Sequence, residues 1–333
     1  MFMPHGHIVS SHLRRADSTP ILGRMLFQAG SLLLVIISVY LLKRIHIFSD
    51  KSYKVVQGLV FNLTLPCAIV MSFATNKHPM NLLWLVVFGL FVCMILLFIA
   101  YFGSRGDEPR YRAYQMLNAS GLNIGAFCLP VVQTFMGPSA GLPVIMLDIG
   151  NAIIATAASL TITRSLLHLG SPTKNLPMSL RIKNIARDFY SSISFDCYML
   201  MLVFMFAGWT VPQWIVTLIT PFANANAFAA MAMIGLMMEI PDNHKDRSEL
   251  GKVIAWRFLF SIIIALSAWF LLPLDERVRE IVVLAAFAPV TIFSTKFTDS
   301  LTGNAKLAGF SLTVTAIIGL TFMTILHAVL PVT

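Results

Sequence analysis

The chain has 333 residues, of which 57% are apolar and only 12% are charged. Soluble domains carry about 25% charged residues, so this composition excludes an ordinary soluble domain. The mean hydropathy of +0.79 and the repeated apolar runs indicate a multi-pass membrane protein. The net charge of +9 does not indicate nucleic-acid binding, because the basic residues are scattered over short loops.

Neither the cysteines nor the histidines predict a metal site or a cofactor. The cysteines lie in or beside apolar runs without a C-x-x-C spacing, so we interpret them as small buried hydrophobes. They are Cys67, Cys93, Cys128 and Cys197. His5 and His7 belong to an N-terminal tail, residues 1–24, which we expect either to be disordered or to precede a true start at Met25. We therefore expect no metal and no cofactor.

Apolar runs predict ten membrane-spanning helices. In chain order they cover about 25–42, 55–73, 81–102, 113–136, 141–167, 195–209, 215–238, 253–272, 280–298 and 306–330. A loop at 170–194 separates a first half, 25–169, from a second half, 195–333. Within this loop, residues 180–189 mix apolar and basic residues at helical spacing, which predicts a short interfacial helix on the cytoplasmic side.

The stretch from Asn118 to Pro130, inside span four, is the most informative part of the chain. It combines Asn, Ser, Gly and Pro, including Asn123 and Gly125, within an apolar run. Proline lacks an N–H group and its ring disrupts the helical ladder. Freed backbone groups are tolerated in hydrocarbon only inside protein or beside a water-filled cavity. A broken helix at mid-membrane indicates a transporter binding site, although a kinked and tightly packed helix without a ligand is the plain alternative.

Span nine repeats this pattern around Pro289, which is followed by Thr291 and Ser294. Pro130 and Pro289 are 159 residues apart, and the same offset takes Pro66 of span two to Ala225 of span seven. The chain therefore reads as two halves of five spans each. Because five is odd, the second half must be inserted upside down, as in the inverted repeats of secondary transporters.

Several polar residues inside the spans are candidates for the site. Asp148 of span five is a costly intramembrane carboxylate, which either couples transport to protons or, together with Asn151, supports the broken helix. Asn62 and Asn226 either line a cavity or form helix–helix hydrogen bonds. We expect Arg257 to direct its head group toward the membrane surface.

The positive charges predict an orientation. If the loop after span one is cytoplasmic, that side of the membrane carries seventeen Lys and Arg residues and the other side carries six. This asymmetry places both termini outside the cytoplasm.

Short motifs along the chain resemble those of the auxin efflux carrier family of membrane transport proteins, which includes bacterial malonate and malate permeases. They are Asn62–Pro66, Asn123–Pro130, Leu147–Asn151, Ala223–Phe228, Ile234–Leu236 and Ala288–Val290. The resemblance extends over nearly the whole chain after Met25, and the short loop between the halves is similar to the bacterial branch.

The resemblance implies an all-helical fold of ten spans, arranged as a 5+5 inverted repeat like that of bile-acid symporters. It also implies crossing broken helices in spans four and nine, and a homodimer. Organic anion transport follows from it, with Asn123 and Pro130 lining the site and Pro289 on the second crossing. Span nine has Thr and Ser where an amide is expected, so the substrate is not carried over.

We therefore expect a permease of the cell inner membrane that moves a mono- or dicarboxylate by alternating access. The expected substrate site consists of Asn62, Asn123, Gly125, Pro130, Pro289, Thr291 and Ser294, and Asp148, Asn151 and Asn226 support the crossing or the coupling. The near alternative is a sodium-coupled organic anion symporter. A non-transporting sensor or an intramembrane enzyme is remote, because the chain contains no H-E-x-x-H or G-x-S-x-G motif.

Overall fold

A computed structural model describes residues 18–76, 79–169, 193–240 and 244–330. Within these ranges the chain is helical apart from its loops and one isolated antiparallel β-bridge. Most of the N-terminal tail and the expected interfacial helix at 180–189 lie outside the described residues. Helix α1 begins at Ser18, so the expectation of a disordered tail is wrong for residues 18–24.

The first half of the chain forms six helices. They are α1 Ser18–Arg44, α2 Tyr53–Ala74, α3 Met80–Gly103, α4 Pro109–Ser120, α5 Ile124–Met136 and α6 Pro138–Leu167. The second half also contributes six described helices. They are α7 Ile193–Ala207, α8 Gln213–Met237, α9 His244–Leu271, α10 Glu276–Ala286, α11 Ile292–Thr302 and α12 Ala305–Val329.

Seven helices of the described chain are long and apolar enough to cross a membrane. They are α1, α2, α3, α6, α8, α9 and α12. Helices α5 and α7 are apolar but shorter, and α4, α10 and α11 are the remaining short segments. The protein is therefore an all-helical, multi-pass membrane protein, and the ten-span inverted repeat stays a prediction.

Two prolines inside apolar runs, Pro66 and Pro130, do not interrupt their helices. The α2 backbone widens into a π turn over Val60–Thr64 just before Pro66, and α5 opens with a π turn over Ile124–Cys128 before Pro130. Such wide turns are often found at functional sites. Each proline then sits in the first turn of the α-helical segment that follows, where its missing N–H costs little. The prediction that Pro130 itself breaks its helix is therefore wrong, and Pro66 does not break its helix either.

The second interruption contains Pro289, as predicted, whereas the first lies a few residues before Pro130. Helix α4 ends at Ser120 and α5 begins at Ile124, while α10 ends at Ala286 and α11 begins at Ile292. The two loops between these helices meet through the antiparallel bridge from Leu122 to Val290. Both bridge residues are buried. The structure thus brings the two interrupted segments, called here the crossing (residues 121–123 and 287–291), into direct contact.

Close helix packing fixes the crossing in place. A Cβ added to Gly150 of α6 would lie 2.0 Å from the Val86 carbonyl oxygen of α3. A Cβ added to Gly319 of α12 would lie 2.4 Å from the Phe287 carbonyl oxygen at the second interruption. Small residues allow such close backbone approach in membrane proteins, where helix association depends on packing rather than on a hydrophobic driving force.

Candidate functional site

The first interruption depends on a side-chain amide from α6. Asn151 Oδ1 accepts a hydrogen bond from the Leu122 amide at 3.0 Å, and Asn151 Nδ2 donates to the Leu122 carbonyl at 2.8 Å. The amide side chain therefore mimics a neighbouring strand. An unpaired backbone group in hydrocarbon costs roughly several kcal/mol. Asn151 removes this cost for both backbone groups of Leu122.

Asp148 lies one turn before Asn151 and faces the start of α5. Its carboxylate accepts hydrogen bonds from Asn151 Nδ2 at 2.9 Å, from the Tyr198 hydroxyl at 2.5 Å and from the Gly125 backbone. Helix N-termini carry partial positive charge, so this position favours an anionic side chain. A Cβ on Gly125 would lie 2.5 Å from Asp148 Oδ2, which explains why glycine occupies this position.

The second interruption is supported by hydroxyl groups rather than by an amide and a carboxylate. Thr315 Oγ1 of α12 accepts from the Val290 amide at 3.2 Å. Thr291 is the N-cap of α11, and its side chain accepts from the Phe293 amide at 3.4 Å. No carboxylate caps this helix in the described residues, in contrast to the start of α5.

Arg257 of α9 contacts both interruptions from the other side. Its side chain is 6% exposed, so the expectation that it reaches toward the membrane surface is wrong. The guanidinium donates to the carbonyls of Ala119 at 3.1 Å and Gly121 at 3.0 Å, at the end of α4. It also donates to the carbonyls of Ala288 and Pro289, after the end of α10. The C-terminal ends of helices carry partial negative charge, which this cation offsets.

A cavity lies against the crossing, on the side of the two helix N-termini. Its volume is about 50 Å³, which is room for a few waters. Its lining is mostly apolar, with polar groups at a few positions. The polar lining residues are Asn123, Asp148, Asn151, Thr156, Ser194, Tyr198 and Thr291.

Asn123 is the feature of this cavity that most clearly indicates a ligand. Its backbone amide donates to the Pro289 carbonyl at 2.9 Å and so joins the two interruptions. Its side chain is 4% exposed, and Nδ2 has no hydrogen-bond partner in the described part of the chain. Buried polar groups are nearly always satisfied in native proteins. Asn123 therefore lines the cavity and carries a buried donor that has no acceptor among the described residues.

The predicted substrate-site residues divide into two groups. Asn123, Gly125 and Thr291 line the cavity, as do the supporting residues Asp148 and Asn151. The remaining predicted site and supporting residues do not line this cavity, and their roles stay predictions. They are Asn62, Pro130, Pro289, Ser294 and Asn226.

Four of these residues have other positions or partners. Asn62 lies within the π turn of α2 and is exposed. Ser294 is buried and bonds to Asn118 and to the Thr291 carbonyl. Asn226 accepts from Thr64 at 3.0 Å, which is the helix–helix alternative considered for it. Pro289 contributes only its carbonyl, which accepts from Asn123 and Arg257.

Two functional candidates have no clear sequence signal or were misread. Tyr198 of α7 reaches Asp148 from across the loop between the halves, and no motif marks it. Arg257 had a signal, because it is a cation within an apolar run and such residues usually face the protein interior. No cluster of three or more metal-ligating side chains occurs among the described residues.

The fold and the cavity together define a multi-pass helical membrane protein whose interrupted helices enclose a small polar site. A family model described as "Membrane transport protein" matches residues 29–184. This segment contains the first interruption, Asp148 and Asn151, and its match agrees with the resemblance to the auxin efflux carrier family of membrane transport proteins. A comparison with curated proteins found no match. The matched family is one of transporters, and together with the helical membrane architecture this match supports a membrane transporter.

Proposed function

We propose that this protein is a secondary transporter that moves a small organic anion, a mono- or dicarboxylate, across the cell inner membrane by elevator-type alternating access. The observation that carries the proposal is the unpartnered Asn123 amide in a cavity bounded by two helix N-termini. Residues 123–126 at the start of α5 and 291–293 at the start of α11 line this cavity. Helix N-termini bind anions through their free N–H groups and their partial positive charge.

The electrostatic arrangement of the crossing supports an anionic ligand. Each interruption has one C-terminal end and one N-terminal end, with opposite partial charges. Arg257 binds the carbonyls at the two C-terminal ends, so its positive charge offsets their partial negative charge near the cavity. The start of α5 already bonds Asp148, whereas the start of α11 has only the neutral Thr291 as a cap. A substrate carboxylate would therefore lie between Asn123 and the start of α11.

Asp148 is the proposed coupling group. It is 7% exposed and lines the cavity, so its charge faces any bound anion. Binding a proton with the substrate would remove this repulsion and link the two movements. The Tyr198 and Asn151 donors would hold the carboxyl group in place in either state.

Sodium coupling is the second candidate, and the same carboxylate favours it. Asp148 is the single charged side chain among the described lining residues, and a hard cation prefers carboxylate and amide oxygens. The Asn123 side-chain oxygen and the carbonyls freed at the crossing would complete such a site. Sodium bound beside Asp148 would neutralise it as a proton would.

The ten-span arrangement is part of the proposal. Helices α4 with α5 and α10 with α11 would each form one interrupted span, and α7 would cross as a short span. This gives five spans in each half, with both termini outside the cytoplasm and with a homodimer as the expected assembly. The corresponding interruptions, which meet at Leu122 and Val290, support it.

Uptake into proteoliposomes tests the function. Purified protein would first be screened for thermal stabilisation by mono- and dicarboxylates, and the best ligand would then be used in uptake assays. We expect uptake that a proton gradient accelerates and a sodium gradient does not. Acceleration by sodium alone would favour the second candidate. Binding without uptake under either gradient would indicate a sensor and contradict the proposal.

A further inference from the structure

We infer that Arg257 is a positioning residue that ties the two interruptions of the crossing into one unit, and that transport depends on this tie. The functional part of this inference rests on the proposed transport function. Arg257 does not line the cavity, so it acts on the substrate only through the backbone that it holds.

The contacts show a clamp rather than a single cap. One guanidinium nitrogen, Nη1, donates to the carbonyls of Ala119 and Gly121 in the first interruption. The other, Nη2, donates to the carbonyls of Ala288 and Pro289 in the second. A single side chain thus bonds to both segments, which are more than a hundred residues apart in the chain.

Only arginine can form this arrangement. Its planar guanidinium offers five donors in a fixed fork, whereas lysine is a compact point charge on a flexible stem. No salt bridge to Arg257 occurs within the described residues, so the burial of its charge is offset by carbonyl oxygens. Buried charge without a partner is costly, which explains why the contacts are so numerous.

The clamp determines the geometry of the cavity through a short chain of bonds. Pro289 contacts Arg257, and its carbonyl also accepts from the Asn123 amide at 2.9 Å. Asn123 in turn carries the unpartnered Nδ2. If the guanidinium were removed, four carbonyls would lose a donor. The two segments would then be joined by this one backbone hydrogen bond, by packing, and by the flanking bonds of Asn118 with Ser294 and Thr298. The distance between the starts of α5 and α11 would then vary.

A disulfide offers an independent way to restore the tie. A Cβ added to Gly121 would lie 3.5 Å from Thr291 Cβ. The Cβ atoms of a disulfide are about 3.5–4.5 Å apart, so this distance fits. The nearer contact, 2.8 Å to Thr291 Cγ2, disappears when residue 291 is cysteine. The double variant G121C/T291C therefore joins the same two segments covalently, without Arg257.

The experiment compares Arg257→Gln and Arg257→Lys, each with and without the G121C/T291C pair, in a background where the four native cysteines are replaced. Arg44→Gln is the matched control, because Arg44 is exposed and bonds only to Tyr40 among its described neighbours. Single G121C and T291C variants measure the effect of each cysteine alone. The readouts are the rate of disulfide formation, the affinity for the carboxylate found in the ligand screen, and its uptake.

We expect R257Q to form the disulfide several-fold more slowly than the arginine background and to bind the carboxylate at least tenfold more weakly. We expect R257K to be intermediate, and oxidation of the pair to restore affinity in R257Q to within about threefold of the oxidised arginine background. Equal disulfide rates and equal affinities in Arg, Lys and Gln backgrounds would overturn the inference. If R257Q does not fold, the same comparison between R257K and arginine decides. If no carboxylate binds the parent protein, the proposed function fails, and the disulfide rates alone still test the clamp.

Discussion

The two interruptions of the crossing solve the same problem with different chemistry. At the first, one amide side chain, Asn151, satisfies both backbone groups of Leu122, and the carboxylate of Asp148 caps the helix that follows. At the second, the Thr315 hydroxyl satisfies the Val290 amide and Thr291 caps α11. The first interruption therefore has a carboxyl group at its helix start, while the second presents a neutral helix start to the cavity.

This difference suggests a division of labour. The first interruption serves as the charged, coupling side of the site, and the second serves as the side that accepts the anion. Arg257 bonds to the C-terminal ends of the helices at both interruptions. The two interruptions therefore differ in how the following helix starts, not in how the preceding helix ends. Substitutions that remove support from one interruption at a time can break or sharpen this comparison.

Asn151→Leu should have the largest effect. It leaves the buried amide and carbonyl of Leu122 without partners and removes one donor to Asp148. Each buried group left unsatisfied costs about 1–3 kcal/mol, so we expect a loss of several kcal/mol of stability and no uptake. Thermal unfolding in detergent measures the first effect and proteoliposome uptake measures the second. Wild-type unfolding and uptake in this variant would show that Asn151 does not support the interruption.

Thr315→Val, the corresponding change at the second interruption, should have a smaller effect. Valine has nearly the same volume as threonine but lacks the hydroxyl, so this change leaves only the Val290 amide without its acceptor. We expect a loss of about 1–3 kcal/mol and uptake that is reduced but measurable. The same unfolding and uptake assays apply, with Thr321→Val as control, because Thr321 is an exposed residue of the same helix. A T315V effect as large as that of N151L would remove the proposed difference between the two sides.

Asp107→Asn, outside the membrane-spanning helices, should have the smallest effect. Burial acts to raise the pKa of Asp107, but its hydrogen bonds with Lys252 and Gln115 outweigh this and lower the pKa below its ordinary value. A lowered pKa stabilises the folded state above the ordinary value of 3.8, and this contribution is lost as the pH falls through the folded value. The ion pair with Lys252 is partly exposed, so it is worth at most about 1 kcal/mol.

Thermal unfolding measured at pH 7 and again well below roughly pH 4 tests this contribution of Asp107 to stability. We expect D107N to be slightly less stable than the parent at pH 7 and equal to it at low pH. A difference that grows as the pH falls would have the wrong sign. Uptake by D107N should equal that of the parent protein, whereas the substitutions at the crossing reduce uptake.

The sequence allowed the membrane class, the apolar helices and the approximate places of the interruptions to be predicted. Composition and run length determine the first two, and the concentration of Asn, Gly and Pro marks the third. The roles of Asp148 and Asn151 as supports of the broken helix were among the stated alternatives, since few explanations exist for a carboxylate and an amide inside a span. Their contacts with Gly125 and Leu122 agree with that alternative.

Other features depended on geometry that residue type does not encode. Pro66 and Pro130 looked like helix breakers, but a π turn before each one removes the clash. Asn62 then falls within such a turn and is exposed. Tyr198 meets Asp148 across a long sequence separation, which no local pattern reveals. Arg257 is different, because a cation within an apolar run does indicate an interior position and that signal was misread.

The most direct test of the central claim, that the crossing holds a carboxylate substrate, compares Asn123→Ala with Asn62→Ala. Asn123 contributes the buried, unpartnered amide, while Asn62 is an exposed asparagine outside the cavity. A hydrogen bond to a charged group is worth about 1.5–3 kcal/mol. N123A should therefore raise the half-saturation concentration for uptake by roughly tenfold or more. N62A should behave as the parent protein does. Equal uptake kinetics in N123A and the parent protein would contradict the account.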